Sequence, residues 1–179
     1  MKELSLHVLD IAGNSVSANA TDIRICLESS EEADKLRLEI ADNGRGMEPD
    51  FLRRVIDPFT TTRTTRKVGM GIPLFKMAAE MAGGSFTIDS TPGVGTTVCA
   101  VFQRSHVDLP PIGDMAGTIA TLIQGAPDIN FSYRYKTDRG EFTLDTAELR
   151  ETLEGVPLSE PEVLTWITEY IVENEAELS

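Results

Sequence analysis

The sequence predicts an α+β fold: a two-layer α/β sandwich whose mixed, mainly antiparallel sheet carries helices on one face, with a small C-terminal α/β appendage. Three observations lead there. Stretches of apolar–polar alternation recur in pairs joined by links of hairpin length, and amphipathic stretches of helical period stand between those pairs. Near Arg104–Pro111 the double proline Pro110-Pro111 interrupts regular structure, so residues 1–103 and 112–179 read as two units.

Residues 3–19 read as a helix, because Leu4, Val8, Ile11, Ala12 and Ser15 gather on one side while His7, Asp10, Asn14 and Ser17 share the other. Ile23, Ile25 and Leu27 alternate with Arg24, Cys26 and Glu28; Leu36, Leu38 and Ile40 alternate with Arg37 and Glu39. These are two half-buried strands joined by the polar turn Ser29–Asp34. A short helix follows Pro49. Another runs from Ile72 to Met81, with Pro73 in its first turn and Gly83-Gly84 after its end. Strands near Ser85–Ser90 and Thr96–Phe102 turn through Thr91-Pro92-Gly93. In the second unit, Met115, Ile119, Leu122 and Ile123 mark a helix, and Ile129, Phe131, Tyr133 and Tyr135 alternate before a TDRG turn into Phe142 and Leu144. Asp145 with Glu148 opens a further helix. Ser159 with Glu162 reads as a capping box for the last one.

The chain of 179 residues is acidic, at net charge -13, with 41% hydrophobic residues. That composition suits a folded domain with a core. Residues 103–179 hold 15 acids against 5 cations, so most of the imbalance lies there. An acidic surface repels phosphodiester backbones, which argues against nucleic acid as a partner. No apolar run approaches the length of a membrane span, and the first residues do not read as a signal peptide, so the expectation is a cytoplasmic protein with no membrane. Cys26 and Cys99 lie in strands and read as buried thiols.

One segment departs from this acidic character. Asp57–Gly71 reads DPFTTTRTTRKVGMG, and no Asp or Glu occurs between Pro58 and Ala79. Glycines ahead of a helix N-terminus expose amide donors to an anion, and Arg63, Arg66 and Lys67 add cations that reach phosphate oxygens. The threonine and glycine content suits a mobile lid that orders on a ligand. Two further constellations stand earlier. Asp10 and Asn14 are one helical turn apart, where an amide oxygen can coordinate Mg²⁺ and a carboxylate can orient a water or take a proton. In IADNGRGM, a strand runs into Asp42, and Gly44 and Gly46 let backbone approach a flat ligand. Each also has a plainer reading: a solvated helix face, a tight Asn-Gly turn, and a loop whose charges face water.

In chain order these pieces, with PGVGTTV at the end, resemble the GHKL or Bergerat-fold ATPases, a superfamily that includes sensor histidine kinases, anti-sigma serine kinases and gyrase. Asp10-Ile-Ala-Gly-Asn14 is similar to the N box, with Asp where many members carry Glu. Asp42-Asn-Gly44-Arg-Gly46 resembles the first glycine box, Pro58–Arg63 the kinases' PFFTTK, Gly69-Met70-Gly71-Ile72 their GLGL, and Gly95-Thr96 the final Gly-Thr. The resemblance covers residues 1–102. It implies ATP and Mg²⁺ as cofactors, with Asn14 on the metal, Asp42 on the adenine amine and Thr96 on adenine through water. Arg63, Gly69 and Gly71 would meet the phosphates, Gly44 and Gly46 would form the nucleotide turn, and Asp10 would be the catalytic acid–base group.

What the resemblance implies for activity has three versions. The kinase-like lid favours a stand-alone protein kinase acting on a partner protein in signal transduction, and a homodimer is compatible with it. An ATP-driven clamp of the gyrase type is disfavoured by the length of the tail. A nucleotide-sensing binding module without turnover is the third. His7 and His106 are poor phosphoacceptors: His7 belongs to the N-box helix, and His106 stands beside a double proline.

Overall fold

Strand β1 (Asp22–Ser30) carries Ile23, Ile25 and Leu27 into the interior while Asp22 and Arg24 face solvent. It pairs antiparallel with β2 (Lys35–Asp42), so the alternation seen in the sequence becomes one apolar sheet face. In this computed structural model residues 2–56 and 71–179 are described; Arg63, Gly69 and the threonine-rich segment around them lie outside those residues. Strand β3 (Ser85–Thr91) and strand β4 (Gly95–Gln103) form the next hairpin, and β4 lies against β2. A third hairpin, β5 (Asn130–Thr137) and β6 (Gly140–Asp145), completes a six-stranded sheet of order β3-β4-β2-β1-β5-β6. Every neighbouring pair is antiparallel except β1 with β5, which is parallel, Ile23 opposite Phe131 and Ile25 opposite Tyr133. The sheet is therefore mixed and mainly antiparallel, as the sequence predicts.

The sequence boundary near Arg104–Pro111 falls in the connection after β4, and the sheet continues across it. Phe131, Tyr133 and Tyr135 of β5 share one buried cluster with Ile23, Ile25 and Leu27 of β1. Full burial of such side chains contributes roughly 1.5–3 kcal/mol each, so both stretches of chain draw on one core.

Helix α1 (Leu4–Ser17) buries Leu4, Val8, Ile11, Ala12 and Ser15, the face that its periodicity marks. His7 is a departure. It is 2% exposed, because α3 (Gly71–Met81) lies over it and brings the Phe75 ring within 5.1 Å. Its Nδ1 has no hydrogen-bond partner among the described residues, and burial first, then the Lys2 charge, lowers its pKa from 6.5 to about 4. The imidazole is thus held neutral. Helix α2 (Pro49–Ile56) is short, with only Val55 buried.

Helix α4 (Met115–Gly125) is capped by Asp114, whose carboxylate accepts the Gly117 N–H at 2.9 Å, and it packs on α1 and on α6 (Pro161–Leu178). Asp145 caps α5 (Thr146–Leu153) in the same way, accepting from the Ala147 N–H at 2.9 Å. The predicted Ser159–Glu162 capping box does not form. Helix α6 begins one residue later, with Glu160 at the cap position making no side-chain bond and Pro161 setting the first helical φ.

The second face of the sheet is polar. Arg37 pairs with Glu39 at 2.5 Å, and Arg134 pairs with Glu28 at 3.6 Å and with Glu141. Cys26 and Cys99 sit on this face, half-buried, on either side of Glu39 of β2. They are not core thiols as the sequence suggested. The alternation places them opposite Ile25 and Val98, and partial burial still pushes both thiols up in pKa.

Candidate functional site

Between α1, the ends of β2 and β4, and α2 lies a cavity of about 400 Å³. Ile11, Ile40, Met47, Phe51, Ile72 and Val98 supply apolar walls, and Asn14, Ser15, Asp42 and Thr96 supply the polar groups. A narrow apolar slot with a few convergent polar atoms is the usual form of a site for a flat heterocycle.

Asp42 is the last residue of β2, directly opposite Thr96 of β4. Its Oδ2 accepts from the Ser15 hydroxyl at 2.6 Å and its Oδ1 from the Gly44 N–H at 2.8 Å. Each carboxylate oxygen has two acceptor sites, so both keep capacity for a further donor. Thr96 is held in turn: its Oγ1 lies 2.8 Å from the Ser90 Oγ, and Ser90 accepts the Met47 N–H at 2.8 Å. The rim between β2 and α2 is therefore tied to the β3–β4 hairpin through Ser90.

The glycine turn is shaped by close approach. Gly46 has φ +71°, and a Cβ there would stand 2.1 Å from the Thr91 carbonyl oxygen. A Cβ on Gly44 would meet the Ala18 Cβ and carbonyl oxygen at 2.9 Å. Just before them Asn43 reaches back, its Oδ1 accepting the Thr21 and Asp22 N–H groups at 2.8 and 3.0 Å. The Thr21 carbonyl then takes the Asn130 N–H at 3.0 Å, so the turn is tied to the start of β5 as well.

Asn14 lines the cavity, and its side-chain amide makes no hydrogen bond among the described residues. Asp10, one turn earlier, stands outside the lining, exposed and paired with Lys2. Gly71, the first residue of α3, packs beside it: a Cβ on Gly71 would lie 3.4 Å from the Asp10 Cβ. Of the residues that the sequence singles out, the geometry brings together Asn14, Asp42, Gly44, Gly46 and Thr96. Gly71 and Asp10 meet at one side, and Arg63 and Gly69 lie outside the described residues. Sequence reasoning passed over Ser15, Ser90, Asn43 and Glu48, the last of which also lines the cavity. Ser15 sits on the apolar face of α1, where a small polar residue at 3% exposure is itself a signal of a buried partner.

Comparison with known proteins decides the family. Residues 2–106 match the model described as histidine kinase-, DNA gyrase B-, and HSP90-like ATPase. The chain belongs to this family. Its matched part is the family's ATP-binding domain, related to that of histidine kinases. Sensor protein kinase FleS of Pseudomonas aeruginosa is 38% identical over 105 residues, 59% of this chain and 25% of FleS. Sensor protein BceS of Halalkalibacterium halodurans is 33% identical over 117 residues, 63% of this chain and 34% of BceS. The chain thus spans about a quarter to a third of these relatives. Among solved structures, the N-terminal domain of a DNA repair protein matches with a TM-score of 0.52 at 18% identity, over 81% of this chain and 53% of that one. That likeness concerns the fold, and it covers more of the chain than residues 2–106 can supply.

The groups present fit the family's ligand. Asp42 offers free acceptor capacity at the end of an apolar slot, which suits an exocyclic amine on a flat base. Among the described residues no cluster of three His, Cys, Asp or Glu could hold a metal by itself. Mg²⁺ does not require one, since it retains waters and phosphate oxygens and takes one or two oxygen ligands from protein. The Asn14 amide, without a hydrogen bond among the described residues, carries an oxygen of that kind. No helix among the described residues is long and apolar enough to cross a membrane.

Proposed function

We propose that the cavity beneath Asp42 receives the adenine of ATP and that the bound nucleotide serves phosphoryl transfer to a protein partner. One observation carries the reading: a carboxylate fixed by Ser15 and Gly44 in the lining of a mainly apolar cavity in this family's ATP-binding domain. Asp42 would accept the adenine amine, Thr96 would act on the ring through water, and Gly44 and Gly46 would let the turn lie against it. Asn14 would hold Mg²⁺, which supplies neutralisation of phosphate charge. The same reading assigns Arg63, Gly69 and Gly71 to the phosphates, and Asp10 to a proton or an attacking hydroxyl. The sensor kinases among the relatives support a kinase, acting in the cytoplasm where ATP is available.

The pairing of Asp10 with Lys2 favours a second reading, a module that binds ATP and changes its affinity for a partner without turnover. A carboxylate oxygen already engaged by a lysine is not free to orient a hydroxyl or a water. Incubating the full chain and a co-purified partner with γ-labelled ATP separates the two. Label on the partner that vanishes in Asp42→Ala and Asp10→Asn establishes the kinase. Tight Mg-ATP binding with no label and no ADP release leaves the module, and no ATP binding by calorimetry refutes both.

A further inference from the structure

At the end of the sheet remote from the cavity, β6 pairs with β5 alone among the described residues, which leaves its other side as an open strand edge. Helix α6 packs against β5 and β6 beside this edge. The Phe142 ring of β6 meets Tyr170 edge-on at 6.0 Å, and Tyr170 stacks on Trp166 at 5.0 Å with the rings 11° from parallel. Trp166 is 47% exposed, with one ring face covered by Tyr170. By helical spacing Glu162, Glu169 and Glu173 share the side of α6 that carries Trp166. All three are exposed, and none forms an ion pair among the described residues.

These features specify an occupant. An open edge offers main-chain hydrogen bonds to an extended segment. An indole face is the best of the aromatic partners for a Lys or Arg cation, and unpaired carboxylates beside it add Coulomb attraction. We propose that β6 and the Trp166 side of α6 bind an extended, lysine- or arginine-rich segment of a partner protein. A second copy of this chain is the poorer occupant, since edge-to-edge pairing would bring the same glutamates toward one another. The proposal is independent of the nucleotide reading, because no residue in it lines the cavity.

Trp166 is the only tryptophan of the chain, so its fluorescence reports on this face. The full chain is titrated with a short peptide alternating lysine and valine, and with the glutamate–valine counterpart. The expected result is a saturable fluorescence change for the lysine peptide alone, weakened by salt, with slowed hydrogen exchange at β6 amides. The double substitution Glu162→Lys with Glu169→Lys should weaken binding about tenfold or more while circular dichroism stays unchanged, because both residues are exposed. Equal response to both peptides overturns the proposal, as does slowed exchange anywhere but β6. A peptide-free dimer in sedimentation that protects the same amides also overturns it, in favour of self-association.

Discussion

Replacing Asp42 with Asn exchanges one oxygen for an NH₂ group with almost no change of shape, and the surroundings decide which way the amide turns. The Gly44 N–H is fixed by the backbone 2.8 Å from Oδ1, so the remaining oxygen must stay there. The NH₂ group then takes the Oδ2 position beside Ser15, whose hydroxyl can rotate from donating to accepting. The fold is kept, but the slot now presents a donor where the carboxylate presents an acceptor. Adenine's amine loses a charge-assisted hydrogen bond worth roughly 1.5–3 kcal/mol, which is about a 10- to 150-fold loss of affinity. The O6 of guanine gains a partner in the same step. Titration calorimetry of Mg-ATP and Mg-GTP against both proteins measures this, with a thermal melt as the control for folding. A folded D42N protein with an unchanged ATP-to-GTP ratio would refute the placement of adenine on Asp42.

Ser15→Ala should lower ATP affinity by about three- to tenfold in the same assay, since it frees one oxygen of Asp42 without altering charge. Gly46→Ala should destabilise the chain by about 2 kcal/mol or more in urea unfolding, because its Cβ would lie 2.1 Å from the Thr91 carbonyl oxygen at a φ that favours glycine. Two groups whose pKa values are shifted by burial, His7 and the half-buried Glu175, set opposing pH dependences. Burial raises the pKa of Glu175 from 4.5 to about 7, so its contribution to stability is full below pH 4.5 and lost as pH rises through 7. The depressed pKa of His7 works the other way: its contribution is present above pH 6.5 and lost as pH falls toward 4. In the native chain the two slopes oppose each other between about pH 4.5 and 6.5, so Glu175→Gln should leave stability rising with pH across that window. Urea unfolding at several pH values tests this, and an unchanged pH profile in the variant would count against a raised pKa at Glu175. Ending the chain at Gln103 should give an insoluble or unfolded protein by circular dichroism, because it bares the β1 edge and the core under Phe131 and Tyr133.

Much of this architecture was legible because strands with one wet face advertise themselves. Ile23, Ile25 and Leu27 alternate with polar residues, as do Phe131, Tyr133 and Tyr135, and both sets became strands at about the predicted bounds. The parallel pairing of β1 with β5 left no such mark, since alternation tells which face is buried and says nothing of which strand lies alongside. His7 was misjudged for a related reason. A helical wheel assumes one covered face, and α1 is covered on more than one, by the sheet, by α4 and, over His7, by α3. In the cavity, Asp42, Gly44 and Gly46 were visible through the spacing of glycines around an acid at a strand end. Ser15 was not, because a lone serine on an apolar helix face acquires meaning only when Asp42 arrives from a strand 27 residues later.

The junction of β1 with β5 bears on how the chain comes to fold during synthesis. Asp22 sits beside Asn130, so this central ladder waits until more than a hundred further residues have been made. Until then a nascent chain ending after β4 carries β1 as an unprotected edge, flanked by an apolar surface meant for Phe131 and Tyr133. Pairing across so long a loop is slow, because closure entropy is lost before any contact rewards it. Chaperone capture of ribosome-bound intermediates is therefore expected at lengths between β4 and β5, ceasing once β5 has cleared the exit tunnel.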